Sequence, residues 1–157
     1  MHYNNEKLIE ILKQAGWYQG RKIELQYVIS YYNNENTPLS DAQISFLEEF
    51  GDIEGIVDNE HPFKFFSDPL FWYHVNSKGK HEPLYKSGKT ADEIGILDSY
   101  SPLNQCMLQE QIAMLEVGWI DILHMPLYIS SDGRLFRDDG YDYGKICMDT
   151  LAKLLIP

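Results

Sequence analysis

The sequence predicts an α+β fold: one domain over residues 1–157, in which N-terminal and C-terminal helices pack an antiparallel or mixed β-sheet. Three observations predict it. Apolar residues recur at helical spacing through Phe50 and again from Met148. Between these stretches lie short β-branched and aromatic runs separated by turn residues. A 157-residue chain that is 44% hydrophobic and 13% aromatic can bury a core and is too apolar for intrinsic disorder. No internal repeat and no long linker divides it.

Leu8, Ile9, Leu12 and Ala15 form one apolar stripe of an opening helix. Gly16 stops that helix, because it tolerates the left-handed conformation a C-cap requires. Trp17 follows as a large apolar anchor suited to packing, and Gly20-Arg21 punctuates the chain again. Leu25, Val28, Ile29 and Tyr32 then sit at i, i+3, i+4 and i+7, which favours a second helix. The β-branched and aromatic run 27–32 leaves a strand as the alternative. The polar stretch 33–38 ends in a proline and breaks the pattern. Ser40 starts a third helix with Gln43 as its capping-box partner; Ala42, Phe46, Leu47 and Phe50 form the apolar face and Gly51 closes it.

Short strands follow at 53–57 and 62–66, paired as a hairpin or as neighbours. Asp68-Pro69 reads as a turn, and 76–80 and 86–89 as exposed loops. After Ser101-Pro102, a polar helix is expected over about 103–115, with Met107, Ile112 and Leu115 as its buried positions. Residues 119–123 and 127–130 read as strands. Asp132-Gly133, between Ile129 and Leu135, signals a tight hairpin because both residues tolerate positive φ. Met148, Leu151, Ala152 and Leu155 give the closing helix its apolar face.

The order of these segments resembles the SUKH superfamily of bacterial immunity proteins (Smi/Knr-like fold), and its third subfamily in particular. Ala15-Gly16-Trp17-Tyr18-Gln19-Gly20-Arg21 is similar to the family's entry motif. Phe46-Leu47-Glu48-Glu49-Phe50-Gly51 resembles its second landmark, and Phe63-Lys64-Phe65 before Asp68-Pro69 its aromatic strand. The run from Leu127 to Phe136 is similar to its terminal hairpin. Between about Trp72 and Leu115 the resemblance is weak. It implies an α+β immunity domain that stands beside a secreted polymorphic toxin, often a nuclease or a nucleic-acid deaminase, and neutralises it by stoichiometric occlusion.

Charge narrows the partner. The formal net charge is -11, and no Lys or Arg occurs between Lys22 and Lys64 while carboxylates recur throughout. A second such desert lies between Lys89 and Arg134. This field repels phosphate backbones, which argues against direct nucleic-acid binding, and it speeds encounter with a basic protein. Simple solubility is the plainer reading of the same acidity. No apolar run reaches membrane-spanning length, and the start, Met1 to Lys7, lacks the apolar core of a secretion signal, so a cytoplasmic protein is expected. Cys106 and Cys147 are expected as reduced thiols, though spacing alone leaves one bridge open.

Nothing specifies a reaction. His74 and His81 flank a Gly-Lys loop, and no Cys-x-x-Cys or His-Glu-x-x-His pattern exists. Cys147 beside Met148 reads as a buried, inert thiol. Glu48 and Glu49 are adjacent on a helix and read as a solvated face. Asp138-Asp139-Gly140-Tyr141-Asp142 lacks calcium-loop spacing, and no glycine-rich run opens a helix after a strand. No catalytic residue, metal or cofactor is therefore expected. The aromatics Phe63, Phe65, Phe66, Phe71, Trp72 and Tyr73 carry two readings, core strand face or interface anchors, and the alternation Phe63-x-Phe65 favours core.

The expected function is a stoichiometric binder of a basic toxin domain. Its partner surface is expected on Asp52, Glu54, Asp58 and Glu60, joined by Asp138 and Asp139, where carboxylates are dense without neighbouring basic residues. Two rivals stand beside it: an intracellular interaction or regulatory module of the same fold without a toxin partner, and a hydrolase using Cys147 or a carboxylate pair. Homo-oligomerisation is not indicated.

Overall fold

The computed structural model describes residues 6–34, 38–71, 73–75, 78, 81–83, 112–122, 125–138, 143–146 and 151–156. Three helices come first: α1 (Glu6–Gln14), α2 (Gln26–Asn34) and α3 (Asp41–Phe50). The strands are β1 (Glu54–Val57), β2 (His61–Phe71), β3 (Tyr73–Val75), β4 (His81–Pro83), β5 (Met114–Ile120), β6 (Met125–Ser130), β7 (Leu135–Asp138) and β8 (Tyr143–Ile146); α4 (Leu151–Leu155) follows. A six-stranded sheet has the order β1-β2-β5-β6-β7-β8, and every neighbouring pair is antiparallel. β3 and β4 form a separate hairpin. This is the α+β architecture the sequence predicts.

The entry motif works as a joint between two helices. Gly16 at φ +102° lets α1 end in a Schellman turn: the Trp17 N–H donates to the Leu12 carbonyl at 2.8 Å and the Gly16 N–H to Lys13 at 3.1 Å. Trp17 is then 8% exposed, inside the core. Arg21 turns toward α3, donating from Nη1 to the Glu49 carbonyl at 2.7 Å and from Nη2 to the Gly51 carbonyl at 2.8 Å. The Ile23 N–H takes the Glu48 carbonyl at 3.0 Å. One short segment thus satisfies three carbonyls at a helix end that would otherwise need water.

Helical spacing wins over β propensity in α2, because Leu25, Val28 and Tyr32 line one buried stripe. Burial, then the charge of Asp68, pushes the Tyr32 hydroxyl pKa above its ordinary range. In α3 the Ser40 and Gln43 side chains form the reciprocal capping box. Gln43 is fully buried, and its amide also reaches the Ile129 carbonyl on β6 at 3.4 Å. Phe46 and Phe50 meet Phe65 with ring centroids 5.6 and 5.8 Å apart, and Phe63 lies 5.5 Å from Phe65. This aromatic group locks α3 onto β2, with Leu127, Ile129, Leu135, Leu151, Leu154 and Leu155 extending the same core.

Several sequence expectations need correction. Asp68-Pro69 is not a turn between elements; both residues lie within β2. The irregularity they introduce appears as a register shift, since the step from Phe65 to Leu70 on β2 is matched only by Gly118 to Glu116 on β5. A proline has no N–H to give the ladder, so a bulge is where a strand can hold one. The helix expected to reach residue 115 cannot do so, because Met114 and Leu115 open β5; residues 103–111 lie outside the described residues. The strand expected at 119–123 begins earlier, at Met114, and ends at Ile120, where Asp121 turns to φ +69°. The β6–β7 hairpin is where Asp132-Gly133 placed it, but only Gly133 has positive φ, +89°. The Ser130 N–H bonds the Arg134 carbonyl at 2.9 Å, which makes the loop Ser131-Asp132-Gly133, a three-residue hairpin in place of a two-residue one.

Candidate partner-binding surface

The acidic segment runs from the end of α3 into the β1–β2 hairpin, along one edge of the large sheet. Asp52, Glu54, Asp58 and Glu60 are all exposed. Asp52 and Asp58 have left-handed backbone, φ +64° and +52°, as does Asn59 at +59°. Asp and Asn are the non-glycine residues that tolerate this region best, so these side chains serve the two turns as well as the charge.

The segment is not free of cations in space, although it is in sequence. Lys7 on α1 reaches Asp58 at 3.0 Å, and Lys64 reaches Glu54 from the neighbouring strand at 3.6 Å. The second contact follows from the register, which sets Glu54 opposite Lys64. Asp52 has no ion pair at all among the described residues, and Glu60 has only a His61 ring nitrogen 3.9 Å away. Four carboxylates against two lysines leave the edge negative, and exposed pairs of this kind are weak enough to be exchanged for a partner's charges.

Asp138 is not brought to this edge. It lies on β7, with β2, β5 and β6 between it and β1, on the order of 20 Å at ordinary strand spacing. Asp139 lies outside the described residues, as do Cys106 and Cys147. The adjacent Glu48 and Glu49 are not a solvated face. Glu49 accepts the Trp17 indole N–H at 3.1 Å, and Glu48 is mostly buried beside Lys22 at 3.5 Å. A buried indole needs an acceptor, and Glu49 supplies one. Phe63 and Phe65 face the core, as their alternation suggests, while Phe66 is half-buried on the other face. Trp72 is outside the described residues, and only the backbones of Phe71 and Tyr73 are placed.

One contact beside the hairpin turn is invisible in the sequence. His61 Nδ1 lies 3.0 Å from Asp121 Oδ1, joining the start of β2 to the β5–β6 turn. The carboxylate can only accept, so the ring nitrogen carries the proton. That hydrogen bond, then the Ile122 N–H at 2.7 Å, holds the Asp121 carboxyl below its ordinary pKa. Arg137 lies nearby, and its Nε is buried without a hydrogen-bond partner among the described residues. The cavity these residues share with Leu154 and Leu155 measures about 50 Å³. It is a water-sized space, well below the roughly 300 Å³ where small-molecule sites begin.

His74 sits opposite Glu82 and His81 opposite Val75 in the β3–β4 hairpin, so the two histidines occupy different cross-strand pairs. Among the described residues, no group of three or more His, Cys, Asp or Glu could hold a metal ion. Nor is any described helix long and apolar enough to cross a membrane. The exposed groups on the acidic edge are acceptors of charge and hydrogen bonds, which suits a binding surface.

No curated protein and no solved structure matches this chain. The family model of the SUKH-3 immunity proteins matches residues 4–156. The match takes in the entry joint, the aromatic group under α3 and the whole large sheet, and the chain belongs to the SUKH-3 immunity protein family.

Proposed function

We propose that this protein neutralises one cognate toxin domain by binding it stoichiometrically, and that the toxin is a basic nuclease or nucleic-acid deaminase. The observation that carries this reading is the exposed carboxylate edge Asp52, Glu54, Asp58 and Glu60 on a chain of net charge -11, in an immunity family. Enzymes that act on nucleic acid hold phosphate with basic surfaces, and such a surface is attracted to this edge from beyond contact distance. Neutralisation then needs no chemistry from the immunity protein. Occupying the toxin's substrate groove excludes the phosphate backbone by both volume and charge.

Coexpression with a cognate toxin domain tests the reading. Survival of the host, together with a one-to-one complex that copurifies, is the expected result. Cell death at equal toxin expression, with no complex, contradicts it.

A further inference from the structure

We propose that the open end of the outer sheet face, centred on Ile56, Pro62, Trp119 and Pro126 with Ile122 beside them, is the apolar centre on which a basic protein domain docks. The inference rests on the binding function proposed above and names the surface responsible.

The sheet has two unlike faces. One carries the main core, built by Phe63, Phe65, Leu115, Leu127, Ile129 and Leu135 with the helices. On the other face, Met114, Tyr128 and Phe136 are also buried, but they do not belong to that core. Burial of the outer face fails toward β1. Register places Glu54, Lys64, Trp119 and Pro126 in one row across four strands, and Ile56 opposite Pro62 in the next. Paired residues share a face, so these side chains form one continuous surface. Ile56 is 48% exposed, and Pro62, Trp119 and Pro126 are half-buried. Ile122 is 67% exposed, in a turn tied to this surface because the Asp121 N–H donates to the Pro62 carbonyl at 2.7 Å.

Two branched aliphatic side chains left in water beside half-buried apolar neighbours, at the edge of a sheet and in the adjoining turn, form a patch whose burial by a partner is favourable. Charge selects the occupant. Glu54 lies within the patch, and Asp58 and Glu60 border it in the hairpin turn. Among the described residues Lys64 is the single cation on it, and it is already paired with Glu54. An apolar centre with an anionic rim is complementary to a cationic protein surface and repels a second copy of this acidic chain. The division of labour is kinetic: rim carboxylates set the rate of encounter, and the aliphatic centre sets the rate of escape.

The Ile56→Ala/Ile122→Ala double variant tests this without altering charge. Binding is followed by stopped flow against the cognate toxin domain carrying an inactivating substitution, with melting temperature as the folding control. The expected result is an association rate within twofold of wild type and dissociation faster by about tenfold or more. A Tyr27→Ala/Tyr31→Ala variant, on the exposed face of α2, keeps the wild-type dissociation rate. Wild-type dissociation in the isoleucine variant overturns the docking surface while leaving the immunity function standing, and faster dissociation in the tyrosine variant alone moves the contact to the helical layer. Failure of the wild-type protein to bind the toxin removes the binding function itself and this surface with it. A wild-type dimer that the isoleucine variant turns monomeric also overturns the proposal, because the occupant is then a second copy.

Discussion

The Trp17 indole donates to the Glu49 carboxylate at 3.1 Å, joining the segment after α1 to the last turn of α3. With the two Arg21 bonds to the same helix end, this contact makes the Gly-Trp-x-x-Gly-Arg run a structural clamp. Trp17 is buried and Arg21 half-buried against α3, so these two side chains are spent on architecture, while Tyr18 between them is exposed.

Arg21→Ala should therefore destabilise the protein by about 2 kcal/mol, the usual magnitude for losing charge-assisted bonds to carbonyls at a half-buried site. Arg21→Lys should recover only part of this, since an ammonium cannot span both carbonyls as the guanidinium fork does. Urea denaturation of the variants checks both, and toxin affinity of the folded fraction should not change.

Gly118→Ala should be far worse than its size suggests. A Cβ there would meet the Lys64 carbonyl oxygen at 2.1 Å, a backbone atom that cannot move without breaking the β2–β5 ladder. We expect a loss of about 3 kcal/mol or more, seen as insoluble expression or a collapsed melting transition. Gly16→Ala meets no atom within 4 Å and should cost only the left-handed backbone penalty, about 1–2 kcal/mol.

Asp121 gives the protein an acid-sensitive contact. Its carboxyl pKa is lowered below 3.8 in the fold, first by the His61 hydrogen bond and then by the Ile122 N–H. A depressed folded pKa contributes stability that is present above the unfolded value and lost as pH falls through the folded one. Stability should thus decline below about pH 4. Asp121→Asn keeps a residue that accepts φ +69° but removes the titration, so its acid limb should be shallower than wild type in denaturation between pH 2.5 and 6.

Lys7→Ala should change stability by less than about 1 kcal/mol, because its pair with Asp58 is solvent-exposed on both sides. The same substitution uncovers a carboxylate on the acidic edge. Association with a basic toxin domain at low salt should become faster, a direction that a purely structural pair would not produce.

Local spacing made much of the fold legible. The Ser40–Gln43 capping box, the helical phase of α2 and the alternation of Phe63 and Phe65 each follow from residues close in sequence. What the sequence hid depends on distant partners. Nothing near Asp68-Pro69 says that β2 continues through it, because pairing with β5, far along the chain, carries the strand past the bulge. The His61–Asp121 contact and the Lys7–Asp58 and Lys64–Glu54 pairs arise the same way or across a turn, so an apparently basic-free segment acquired cations on folding. One missed signal was within reach: Glu54-x-Ile56 against buried Val57 has strand period, which puts Ile56 on the same face as the carboxylate.

The most direct measurement is the association rate with the cognate toxin domain as a function of ionic strength, for wild type and for Glu54→Lys/Glu60→Lys. These two positions avoid the left-handed backbone of Asp52 and Asp58, so reversal tests charge without strain. If the acidic edge steers the toxin, wild-type association falls steeply with salt, and the double variant starts slower by about tenfold with a flatter dependence. Association that is insensitive to salt and identical in the two proteins would contradict recognition through this edge.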